Sequence, residues 1–188
     1  MAVSKELMTT TLSIEVESGV DKDGNKIYEG YYHEFKGIPW VFNKTTYTKE
    51  EFLKAFYECL EEHNVNRDNL PPLVEPEILV SYEAWIESKS QLHPNEHLYE
   101  VDELLEDDKE DDMWQVEIYA RLKADNGQYF TTEELLFKLH NLMANKELGD
   151  HVFFENLVYD DHEFEADEIE DIDDNDEGIP VFVVWLGS

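Results

Sequence analysis

The chain is expected to fold as an α+β domain, an antiparallel or mixed sheet packed by two main helices. Three observations predict it. Segments that alternate apolar and polar residues recur along the chain, each bounded by turn residues. Two amphipathic runs open on the same helix-start signature, Thr48-Lys49-Glu50-Glu51 and Thr131-Thr132-Glu133-Glu134. The 188 residues are 41% hydrophobic and 13% aromatic, enough large apolar side chains to fill a core.

The elements follow in order. Thr10–Ser18 alternates and reads as a half-buried strand. Asp23-Gly24-Asn25 is turn chemistry, and Ile27–Phe35 then resumes with Tyr28, Tyr31, Tyr32 and Phe35, predicting a hairpin. Gly37 and Pro39 interrupt it before a short continuation at Trp40-Val41-Phe42. At Thr48 the hydroxyl and the Glu51 carboxylate can satisfy reciprocal backbone donors. The helix running on to His63 places Phe52, Leu53, Phe56, Cys59 and Leu60 on one face. Pro71, Pro72 and Pro76 end helical structure ahead of a strand over Glu77–Ile86.

Ser88–Asn95 is a polar connection broken by Pro94. Leu98, Val101, Leu104 and Leu105 then fall at helical spacing, predicting an extra acidic helix near 95–107. Met113–Lys123 is the clearest strand, with Trp114, Val116, Ile118, Ala120 and Leu122 on one face. Asn126-Gly127 turns the chain into a second helix built on Leu135, Leu136, Leu139, Leu142 and Met143, stopping near Gly149. His151–Tyr159 and Pro180–Leu186 are strands, the latter a continuous apolar run of the kind a central strand carries.

The two helix starts lie at a constant offset of 83 residues, and each is preceded and followed by strand-like segments. This suggests a duplicated strand–strand–helix–strand unit. The expected organisation is an N-terminal lobe over 1–92, an acidic connection over 93–112 and a C-terminal lobe over 113–188. The lobes stand apart or share one core.

Charge narrows the function. There are 46 Asp and Glu against 14 Lys and Arg, a formal net charge of −32. Residues 1–94 carry 17 acids and 9 bases, whereas residues 95–188 carry 29 acids and 5 bases. Asp160–Glu177 alone holds twelve acids and no base. Direct contact with nucleic acid or an anionic membrane is disfavoured, because both demand a cationic surface. No apolar run reaches the roughly 18 residues of a membrane span, and the N-terminal stretch lacks the apolar core of a secretory signal. A cytoplasmic protein is expected.

Catalytic and cofactor signatures are absent from the sequence. The eight glycines form no phosphate-cradling pattern. The single cysteine, Cys59, lies on the predicted apolar helix face, where a buried, inert thiol is expected. His93 and His97 are four apart but separated by Pro94, which breaks the helix that a zinc pair would need. Asp171–Gly178 has the composition of a calcium loop, yet counting from Asp173 puts Val184 where a bidentate Glu belongs. No cofactor, metal or catalytic residue is expected.

The remaining feature is acidity carried on a folded scaffold. One strip comprises Glu103, Glu106, Asp107, Asp108, Glu110, Asp111 and Asp112. The second comprises Asp160, Asp161, Glu163, Glu165, Asp167, Glu168, Glu170, Asp171, Asp173, Asp174, Asp176 and Glu177. A helix over 160–177 would span roughly 27 Å, a length of duplex bearing about sixteen phosphate charges. Phe164, Ile169 and Ile172 punctuate this run and offer it an apolar edge.

In charge layout alone, the chain resembles the DNA-mimic inhibitors that phages and mobile elements use against restriction enzymes and CRISPR nucleases. The resemblance implies a non-enzymatic inhibitor occupying the basic site of a DNA- or RNA-binding enzyme. An immunity- or chaperone-like module for a basic partner shares the acidity without the phosphate-like geometry. Repulsion among so many carboxylates predicts a thermal midpoint that rises with mild acid or added salt. Melts near 0.01 M and near 0.1 M salt, where the screening length falls from about 30 to about 10 Å, check this; coincident melts would contradict it.

Overall fold

The computed structural model describes residues 19–20, 26–27, 35–98, 104–160 and 179–188. The chain divides into two units, Met1–Tyr31 and Tyr32–Ser188. In the first, β1 (Gly19–Val20) and β2 (Lys26–Ile27) pair antiparallel; the expected Asp23-Gly24-Asn25 turn lies outside the described residues. The expected strand at Thr10–Ser18 lies outside the described residues.

The second unit runs α1 (Lys49–Glu62), β3 (Glu77–Ile86), β4 (Glu96–Leu98), β5 (Trp114–Lys123), α2 (Thr132–Met143), β6 (Phe153–Asp160) and β7 (Val181–Gly187). Its five strands form one mixed sheet in the order β4-β5-β3-β7-β6. The class is therefore α+β, with a five-stranded sheet and two helices. β3 and β5 pair antiparallel over ten residues, and β7 runs parallel to β3 and antiparallel to β6. The apolar run at 181–186 is thus an interior strand. Among the described residues no helix is long and apolar enough to cross a membrane.

Strand alternation sorts the faces. Ile78, Val80, Tyr82, Ala84 and Ile86 of β3 join Val116, Ile118, Ala120 and Leu122 of β5 in one core with both helices. Phe52, Phe56 and Leu60 of α1 are fully buried there, and Leu53 and Cys59 are half-buried. The sheet therefore takes strands from both sides of residues 93–112, and one core serves them. Trp40 packs edge-on to Phe52 at 4.8 Å and to Phe56 at 5.6 Å. Its indole N–H donates to His140 Nδ1 at 3.2 Å, so the ring proton sits on Nε2, which donates to the Thr45 carbonyl at 2.9 Å. Burial holds the His140 pKa below its ordinary value.

The two helix starts differ in execution. Thr48 forms the complete capping box: its hydroxyl accepts from the Glu51 N–H, and the Glu51 carboxylate accepts from the Thr48 N–H at 2.9 Å. Thr131 likewise caps the Glu134 N–H at 3.2 Å. The Glu134 carboxylate turns away, however, to the Asp125 N–H at 2.6 Å and to Lys138 at 2.7 Å. Asp125 also binds Lys49 and Lys138, each at 2.9 Å; Lys138 first, then Lys49, hold its carboxyl down to about 2. α2 ends at Met143, six residues short of the expected stop at Gly149, which instead sits in the following turn at φ +64°.

The acidic helix expected over 95–107 does not form where it can be followed. Glu96–Leu98 is the edge strand β4, with His97 opposite Tyr119, and Glu106–Asp108 is a single 3-10 turn. The cause is Lys146. Its side chain and that of Glu96 are both wholly buried and paired at 2.8 and 3.1 Å. The ammonium also donates to the Leu142 carbonyl at 2.7 Å and to Asn145 Oδ1 at 3.0 Å. The Glu96 carboxylate accepts from the Tyr82 hydroxyl and from the His93 N–H at 2.6 Å. Glu96 is thus held in the core, and its neighbours His97 and Leu98 pair with β5.

Removing one partner of such a pair strands a buried charge. Lys146→Met is expected to cost about 3–5 kcal/mol in urea unfolding, with Glu96→Gln in the same chain restoring more than half. A Lys146→Met cost below about 1 kcal/mol would contradict the assignment.

Candidate partner interface

The described acidic residues occupy two places. The first is the approach to β5. Glu106–Asp108 form the 3-10 turn, and Glu110 and Met113 bond each other reciprocally at 2.9 and 3.0 Å across Asp111-Asp112. Asp111 and Asp112 have φ of 50° and 66°. A two-residue hairpin with positive φ at both central positions is the turn whose twist matches the flanking strands. Aspartate tolerates this conformation better than most side chains. All six acids from Glu106 to Asp112 are exposed.

Trp114 secures this turn. Its indole N–H donates to the Leu105 carbonyl at 2.7 Å, and Lys109 lies 4.0 Å from the ring centroid while pairing with Glu106 at 3.0 Å. The carboxylates are therefore held by the first residue of the longest ladder in the sheet.

The second place is the face of the sheet turned away from the helices. By alternation it carries Glu77, Leu79, Ser81, Glu83 and Trp85 of β3 and Gln115, Glu117, Tyr119, Arg121 and Lys123 of β5. At one end Leu79, Tyr119 and Val181 are buried as a small second cluster with Ile179. At the other end Glu83 stands directly opposite Glu117. Burial pushes the Glu117 carboxyl up, with Glu83 and Asp160 adding to the rise against hydrogen bonds from Tyr119 and Ser81.

Asp160, the last residue of β6, is half-buried on this face. The register runs from Asp160 to Val181, Leu79 and Arg121, which is seven residues from Trp114 along β5. Asp160 and the acidic turn thus lie at opposite ends of the sheet, about 24 Å apart along the strands at about 3.4 Å per residue. Glu103 and the acids from Asp161 to Glu177 lie outside the described residues, as does the calcium-like segment at 171–178.

The basic residues of the second half are few and already engaged. The five bases of the second half all pair internally: Lys109 with Glu106, Arg121 and Lys123 with Glu77, Lys138 with Asp125 and Glu134, and Lys146 with Glu96. Among the described residues no cation pairs with Asp107, Asp108, Glu110, Asp111 or Asp112.

The sequence did not single out Glu83, Glu117, Trp85 or Trp185, although strand alternation puts each on a non-core face. What brings them together is strand register, which pattern alone does not set. Cys59 donates to the Pro39 carbonyl at 2.6 Å, and burial, then the Glu62 charge, pushes its thiol pKa up. That is the opposite of nucleophile activation. No cluster of three or more metal-ligating side chains occurs among the described residues. No family model, curated protein or solved structure matches the chain.

If Trp114 secures the acidic turn, Trp114→Leu, which keeps an apolar side chain at the start of β5, should loosen the turn and leave the middle of the ladder intact. Loss of one hydrogen bond and one cation–π contact, together about 1.5 kcal/mol, predicts roughly tenfold faster hydrogen exchange at the Glu110 and Met113 amides. The Ala120 amide, mid-ladder, should keep its rate; unchanged exchange at Glu110 and Met113 would exclude this role.

Proposed function

We propose that the protein is a non-enzymatic acidic inhibitor that occupies the basic nucleic-acid-binding site of a partner, standing in for DNA. The partner is a DNA- or RNA-binding enzyme, as in anti-restriction, anti-CRISPR or similar phage anti-defence roles. The observation that carries this reading is the division of charge around Glu106–Asp112. Every base in the second half of the chain pairs with an internal acid, while an anchored turn presents five carboxylates, at 107, 108, 110, 111 and 112, that no cation among the described residues pairs with. A cationic groove built for phosphates would gain steered association from such a surface. A second reading, an immunity- or chaperone-like module for a basic partner, is favoured by the indoles beside the sheet-face carboxylates, which a copy of phosphate does not use.

Immobilised protein incubated with bacterial lysate at low salt tests the proposal. The expected outcome is retention of a nucleic-acid-binding enzyme whose affinity falls steeply with salt and which free duplex DNA displaces. Replacing the acids of 106–112 by Asn and Gln should weaken retention at least tenfold. Retention indifferent to ionic strength would overturn the mimicry; salt-sensitive retention that duplex DNA does not displace would favour the module.

A further inference from the structure

The open end of the helix-free face holds a trough of about 410 Å³, within the range of about 300–1,000 Å³ typical of small-ligand sites. Trp85 and Trp185, from the neighbouring strands β3 and β7, line it together with Glu83, Glu117, Glu155 and His151. Trp185 is 47% exposed. Glu83 and Glu117 face each other across the ladder, an arrangement of like charges that destabilises a sheet unless something positive lies over it. Among the described residues no lysine or arginine pairs with Glu83, Glu117 or Glu155. The polar partners of the facing pair are neutral: the Gln115 amide at 3.4 Å from Glu83, and the Ser81 and Tyr119 hydroxyls on Glu117.

One buried polar group next to Trp185 across the β6–β7 ladder does not line the trough. Asn156 on β6 is opposite Trp185 and only 5% exposed, yet its Oδ1 receives no hydrogen bond.

These features specify the ligand's chemistry. Three carboxylates call for a cation. Two indoles call for a flat or polarisable one that can lie against a ring face. Several acceptors at different positions call for many donors in a fixed fork, which guanidinium has and ammonium lacks. A divalent ion would use the carboxylates and leave the indoles without a role. We propose that this trough binds an arginine side chain of a basic protein partner, stacked against Trp85 and Trp185 and bonded to Glu83 and Glu117. This contact is separate from the acidic turn and does not rest on mimicry of nucleic acid.

The test is an NMR titration of the full chain with a blocked Gly-Arg-Gly peptide at about 0.15 M salt, where long-range attraction is screened beyond about 8 Å. The indole N–H signals of Trp85 and Trp185 should shift and saturate, while those of Trp40 and Trp114 stay in place. The citrulline peptide, the same shape without charge, should produce no shift, and the lysine peptide should bind at least threefold more weakly. Glu117→Gln should weaken arginine binding at least fivefold, and Glu83→Gln, at an exposed position, keeps the test open should the half-buried variant fail to fold. Asn and Gln replacements over 106–112 should leave this binding unchanged, which separates its failure from failure of the inhibitor reading. Equal shifts with citrulline, shifts at all four indoles without saturation, or full binding by both Gln variants would overturn the proposal.

Discussion

The buried Lys146–Glu96 pair is the contact on which the geometry of this domain turns. Two opposite charges removed from water are tolerable only when every remaining donor and acceptor is also met. Here they are: the ammonium has two carboxylate oxygens, the Leu142 carbonyl and Asn145, and the carboxylate has Tyr82 and the His93 N–H as well. The network joins the end of α2, the centre of β3 and the loop into β4. It thereby decides that residues 96–98 close the edge of the sheet, and so where the acidic stretch that follows begins. A three-residue edge strand also leaves little unpaired backbone for another chain to add to.

The same economy of positive charge governs the surface. Among the described residues, the five bases of the second half pair with Glu77, Glu96, Glu106, Asp125 and Glu134, and the exposed acids at 107–112 have no paired cation. Acidity is therefore sorted by the fold. Glu96 and Glu134 are buried and paired with lysines, Asp125 is shared by two lysines, and the acids at 107–112, on a turn tied down by Trp114, pair with no cation among the described residues. Net charge alone does not distinguish these roles. The opposed Glu83 and Glu117 are a third case, carboxylates fixed by strand register that no lysine or arginine among the described residues pairs with.

The legible parts were those where local pattern and tertiary packing agree. The capped helix at 49–62, the ten-residue strands at 77–86 and 114–123 and the interior strand at 181–187 follow from periodicity and caps, because the face each buries is the face its spacing already defines. Two expectations failed where a distant residue competed with a local one. Glu134 has the sequence position of a capping-box carboxylate, but Asp125 and Lys138 offer it better partners. Leu98, Leu104 and Leu105 have helical spacing, but only Leu98 and Leu104 reach the core, and they do so from a strand and an irregular segment. Of the candidate interface, the acidic turn was legible as a run of charge; the sheet-face trough was not.

Composition and periodicity by themselves determined that this protein is an α+β domain with two amphipathic helices, a large apolar core and a strongly acidic second half. Those properties are sums over neighbours in the chain, so the chain carries them openly. Tertiary structure alone decided which acids are interior, which strands are neighbours and which carboxylates face one another. Each of these depends on a partner tens of residues away, such as Lys146 for Glu96 or Glu117 for Glu83. The energy of a charge is set by what the fold places beside it, and spacing along the sequence does not contain that information.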